Sequence, residues 1–167
     1  MDWSMAHLHL MGNHLPVFGS AIAILVLLWG LFARRRDIVT VGLAVSVLAG
    51  VGAFAARQTG HQAEEQVEDL SWGNRRLIHA HEDAADSAFI VTAITGVLAL
   101  IALVLRRGGK PGPGWLAWIV LLAMIVSFTA LARTALLGGY IRHDEVRPAS
   151  VDTTPLPRRG PPPQPGS

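Results

Sequence analysis

The sequence predicts an all-α integral membrane protein, a four-helix bundle with both termini outside. Three observations carry that expectation. The 167-residue chain is 51% hydrophobic and 16% charged, with a mean hydropathy of +0.40, which is apolar for a soluble domain. Its apolar residues fall in four continuous runs, without the alternation of a β-barrel strand. Its basic residues stand at the ends of those runs. The pI of about 9.9 is therefore a sign of membrane topology and not of a nucleic-acid partner. With no cysteine, the chain itself holds no disulfide, thiolate metal site or iron–sulfur cluster, and no thioether-linked haem. A b-type haem stays open.

The first run covers residues 16–33. No Lys or Arg precedes it and a basic cluster follows it, the reverse of a secretory signal, so it reads as a retained helix. Asn13 is placed to cap it, with Pro16 in its first turn. The second run covers residues 38–56, the third 87–105 and the fourth 115–137. Each is close to the ~20 residues needed to cross a bilayer. Arg34, Arg35, Arg36 and Asp37 join the first two runs; Arg106, Arg107 and Lys110 join the last two. Six basic residues and one acidic residue in these short turns place them in the cytoplasm. Both termini and the loop 57–86, with three basic and seven acidic residues, then face the periplasm or the exterior. Residues 61–70 have the pattern of a short amphipathic surface helix. Ser71, Trp72, Gly73 and Asn74 mark a break, and a new helix starts near Asn74. Trp3, Trp72, Trp115 and Trp118 suit the interfacial belts. Residues 1–146 thus form the membrane domain, and residues 147–167, with seven prolines, a disordered or extended tail.

All seven histidines (His7, His9, His14, His61, His79, His81 and His143) fall at the outer ends of the runs. Imidazole is a common ligand for transition metals and haem iron. His81 lies in line with Ala85, Ala88, Thr92 and Thr95 and should face the bundle. Small residues also recur at helical spacing in the second run (Gly42, Ser46, Gly50, Ala53) and the fourth (Ala123, Ser127, Ala130, Thr134). Such faces pack helices closely in lipid, and the one under His81 leaves room for a flat cofactor. His14, His81 and His143 close three helix ends at one level, which makes them candidate ligands. His79 shares an acidic, wet face with Glu82, Asp83 and Asp86, and with His61 it reads as an interfacial residue. Glu64, Glu65, Glu68 and Asp69 read as a solvated face. Arg133, near the outer end of the fourth run, either snorkels to the headgroups or neutralises a haem propionate or Glu82.

These residues resemble a family of small bacterial four-helix membrane proteins without an established activity. Its H-x-H-x-x-x-N-H-x-P opening is matched by His7, His9, Asn13, His14 and Pro16. Thr59-Gly60 and the acidic segment 64–68 follow. Its H-E-x-A-A segment is matched by His81, Glu82, Ala84 and Ala85. Its ending is similar to Ala132-Arg133-Thr134, Gly138-Gly139 and Ile141-Arg142-His143. The resemblance singles out His9, His14, His81 and His143. The chain is also loosely similar to b-type cytochrome membrane subunits.

The leading expectation is a membrane electron-transfer or accessory redox subunit in a bacterial inner membrane, holding haem b near the periplasmic face. Its axial ligands would be His14 and His81, with His9 and His143 as further ligands or propionate partners and Arg133 assisting. Electrons would be exchanged with a quinone or a periplasmic redox protein, within a larger membrane complex. One alternative is a single copper, zinc or iron ion held by His14, His81, His143, His9 and Glu82. The other is a structural accessory subunit with no cofactor. No catalytic residue can be named from the sequence.

Overall fold

Each apolar run becomes part of a longer helix. The computed structural model describes residues 4–67, 74–109 and 112–154. In it α1 spans Met5–Gly12, α2 His14–Phe32, α3 Arg36–Val67, α4 Arg75–Leu105 and α5 Gly114–Arg142. α1 and α2 form one bent stretch. It and the other three helices give four stretches long and apolar enough to cross a membrane. The chain is thus an all-α four-span bundle. α3, α4 and α5 have 32, 31 and 29 residues. At 1.5 Å per residue they are about 45 Å long, against a hydrocarbon core of about 30 Å. Counted from the basic turns, the excess lies at the opposite end of the bundle, called the site end below.

Two local expectations change. Residues 61–67 are not a separate surface helix but continue α3. Gln, Ala and Glu are good helix formers, and extending a formed helix is easier than nucleating another. Asn13 does not cap α2 through its side chain; its own φ of −64° and ψ of −20° are helical, so α1 runs almost directly into α2. Ser4 caps α1 instead, accepting from His7 N. α4 starts as expected, with Asn74 Oδ1 accepting from the backbone N–H of Arg76 and Leu77. Trp3, Glu68, Asp69, Leu70, Ser71, Trp72, Gly73 and Lys110, and the tail beyond residue 154, lie outside the described residues. Residues 147–154 are tied to the start of α4. Asn74 Nδ2 donates to Thr153 O at 2.9 Å, and Arg76 pairs with Asp152 at 3.1 Å.

The turn end is the dry half. Leu27, Leu43, Ala99, Ala117 and Val120 are each 0% exposed there. Arg34 closes the α2–α3 turn at φ 53°, so that Arg35 N reaches Gly30 O at 2.9 Å and Arg34 N reaches Leu31 O at 3.2 Å. These two bonds satisfy the last carbonyls of α2. Gly30 lets α3 approach: a Cβ there would stand 2.7 Å from Val39 N. Backbone cannot yield like a side-chain tip, so Gly30→Ala is expected to destabilise the bundle by about 1–3 kcal/mol. Thermal unfolding in detergent would read this, and an unchanged midpoint would show that the hairpin has slack.

Buried hydroxyls punctuate the middle. Ser20, Ser46, Thr92, Thr95 and Ser127 are buried. Each donates to a carbonyl four residues back on its own helix, so none demands water. Thr95 and Ser127 also meet across α4 and α5 at 3.1 Å. Outside, the helices are apolar all along: Phe18, Leu25, Leu48 and Leu122 are each more than 60% exposed. An apolar surface of this extent fits contact with lipid. Trp115 and Trp118, on α5 near the basic turns, are exposed as an interfacial belt requires. Trp118 packs edge-on against Phe32.

Candidate functional site

Helix register brings His9, Gly60, His81 and Gly138 to one level. Each lies about 35 Å from the basic-turn end of its own helical stretch, at 1.5 Å per residue. That is the depth at which hydrocarbon gives way to headgroups. Here the bundle encloses a cavity of about 810 Å³, within the range of small-molecule and cofactor sites. Its floor is apolar, formed by Val17, Ala53, Ala88, Phe89 and Leu131. Polar groups, among them His14, His61, Glu82, Arg142 and His143, line the rest.

His9 and His81 share a construction. His9 Nδ1 is 3.0 Å from the carbonyl oxygen of Ala56 on α3. His81 Nδ1 is 2.9 Å from that of Thr134 on α5. A carbonyl only accepts, so each Nδ1 carries the proton and donates it, leaving Nε2 of the neutral ring with its lone pair. Metal-ligating imidazoles are commonly oriented in this way, with the second nitrogen donating to a carbonyl. Each ring also rests on a glycine. A Cβ on Gly60 would stand 3.1 Å from His9 Cε1, and one on Gly138 would stand 3.0 Å from His81 Cε1. Both rings line the cavity.

The remaining candidates are held differently. His14, expected opposite His81, is exposed and packs against Phe18 with ring centroids 6.1 Å apart. It lines the cavity, but no hydrogen bond among the described residues orients it. His143 is exposed, with Nδ1 3.0 Å from Glu145. Glu145 is held below the usual carboxylate range by its own backbone N–H and then by His143. Glu82 sits between His61 Nδ1 at 3.4 Å and His79 Nδ1 at 3.6 Å. Arg133 is exposed and is not part of the cavity wall. It lies on the stripe of α5 that carries exposed Leu122, Ile125, Val126 and Leu136. Arg57 and Arg142 are the arginines that line the cavity.

Further residues enter the site without having been singled out. Arg57 Nε donates to Asp86 Oδ1 at 2.8 Å, and its guanidinium lies 5.1 Å above the Phe89 ring. Both charged side chains are more than a third exposed, so the pair adds at most about 1 kcal/mol and chiefly ties α3 to α4. Gly60 and Gly138, named above only as part of the family resemblance, also follow from spacing. Gly138 extends the series Ala123, Ser127, Ala130, Thr134 by one turn, and Gly60 extends Gly42, Ser46, Gly50, Ala53 by two.

Among the described residues no group of three or more His, Asp and Glu side chains is arranged to hold a metal ion. Six histidines line the cavity, and two of them, His9 and His81 on different helices, are fixed by backbone carbonyls above an apolar floor. The fold and site define a four-span membrane bundle with a histidine-lined cavity at one end. No family model matches the chain, and no curated protein or solved structure matches it.

Proposed function

We propose that this chain is an electron-transfer or accessory redox subunit of a bacterial inner membrane, binding haem b between His9 and His81 at the periplasmic face. One observation carries the reading. Two imidazoles on the walls of one cavity each give Nδ1–H to a backbone carbonyl and keep Nε2 for a ligand. Two axial nitrogens suffice for haem, whereas a structural zinc or copper site needs three or four ligands. Small side chains and glycines leave space for a flat macrocycle, and the apolar floor suits its hydrophobic edge. Arg142 and His143, at the polar end, would meet the propionates. Bound there, the haem supplies a one-electron redox centre. The protein holds its ligands in one tautomer and keeps water from its apolar edge. This reading moves the first axial ligand from His14 to His9.

Full-length protein, expressed with haem supplied and purified in detergent, is expected to show a Soret band and one haem per chain. Protein without a Soret band would end the proposal. The orientation follows from the six basic residues in the two short turns. An alkaline phosphatase fused after Val146 is expected to be active. An inactive fusion beside an active cytoplasmic reporter would reverse the topology.

A further inference from the structure

At the level of His9 and His81 the helical wall is incomplete. Deeper in the bundle α2 packs against both α3 and α5, and α4 lies between α3 and α5. At the site end the chain of α2 is replaced by α1. That short helix packs on α3, touches α2, and has no substantial packing against α4 or α5. The cavity is therefore flanked by α1 on one side and α5 on the other, with a seam between them that no described residue seals. Its lips carry exposed apolar side chains beside the polar His7 and His14. Leu10 lines the cavity and is 64% exposed, and Ala135 faces it from α5 beside exposed Leu136. The seam opens sideways, where hydrocarbon meets headgroups, and the floor below it is apolar.

We infer that this α1–α5 seam admits a lipid-dissolved quinone, and that its hydroquinone form is the electron donor to the site. The inference rests on the haem reading for its redox step, but not for the binding. A molecule entering here must be soluble among acyl chains. It must place a planar head group at the polar boundary and lay an apolar tail toward the bilayer centre. An isoprenoid-type quinone has that shape and polarity. The step balances with two loaded proteins per hydroquinone. With haem bound, two O–H bonds would break, one electron would pass to each of the two loaded proteins, two protons would go to water at the polar mouth, and the quinone would leave by the seam.

The test uses full-length protein reconstituted in vesicles. A short-tailed lipophilic hydroquinone is expected to reduce the bound haem at least about tenfold faster than a charged, tail-less hydroquinone sulfonate of matched potential. The two donors match in potential and differ in charge, in the tail and hence in partition into the bilayer. In parallel, a photoreactive azido-quinone is expected to label peptides from α1 and α5. Equal reduction rates in haem-loaded protein, or label confined to other helices, would overturn the inference and leave the haem reading standing. Protein without haem that still labels on α1 and α5 would end the haem reading and support the seam as a quinone site. Protein with neither haem nor label would overturn both.

Discussion

Replacing His81 with alanine is expected to empty the site, and His9→Ala is expected to do the same, while His14→Ala leaves haem bound. The contrast rests on how the three rings are held. His9 and His81 are each fixed by a hydrogen bond to a carbonyl of a neighbouring helix and by contact with a glycine. His14 is exposed and bonded to nothing described. Loss of an outer-shell partner alone weakens a metal site by about 10–100-fold, so loss of a ligand itself should lower the haem-to-protein ratio about tenfold or more. Two ligands of one centre act as a unit, so the double change should be little worse than either single one. His143→Ala removes a candidate propionate partner and is expected to lower retention only modestly. Haem content by pyridine haemochrome, beside thermal unfolding as a folding control, reads all five variants. If His14→Ala lost as much haem as His9→Ala, the axial role would return to His14.

The second large effect is expected at the α3–α4 crossing. Gly50 and Gly96 meet backbone to backbone. A Cβ on Gly96 would stand 3.3 Å from Gly50 Cα, and one on Gly50 would stand 3.2 Å from Gly96 Cα and 3.5 Å from Thr92 O. In lipid the helices gain no hydrophobic energy by associating, so close van der Waals contact carries much of the association. Gly96→Leu cannot be absorbed by a rotamer change, because the obstacle is main chain. It should cost about 3 kcal/mol, the upper end for overpacking, with Gly96→Ala milder. The consequence reaches the site: α3 carries the Ala56 carbonyl that orients His9, and α4 carries His81. Splaying the two helices should therefore reduce haem retention together with the unfolding midpoint. A Gly96→Leu protein as stable as the parent would show that the crossing tolerates separation.

The four spans, the two basic turns and the lipid-facing surface were legible in the residues, because each is a local property. A run of about 20 apolar residues is helical in a bilayer whatever packs beside it. The small-residue faces were legible for the same reason, since helical period alone sets them. Two things were decided only by tertiary structure. One is how far the helices continue. The acidic, histidine-bearing segment after residue 56 reads as a loop with a separate short helix at 61–70, yet α3 runs unbroken to Val67, while α4 begins at Arg75 as its sequence indicates. Those polar turns are helical because they extend formed helices and pack on each other, as Arg57 does on Asp86. The other is which histidine faces His81. His9 and His14 are separated by the junction at Asn13; α1 and α2 both pack on α3, but only α2 also packs on α5. That packing turns His9 onto Gly60 and the Ala56 carbonyl and leaves His14 beside Phe18. The spacing of the histidines placed both at the mouth of the bundle; the contact of α1 with α3 selected between them.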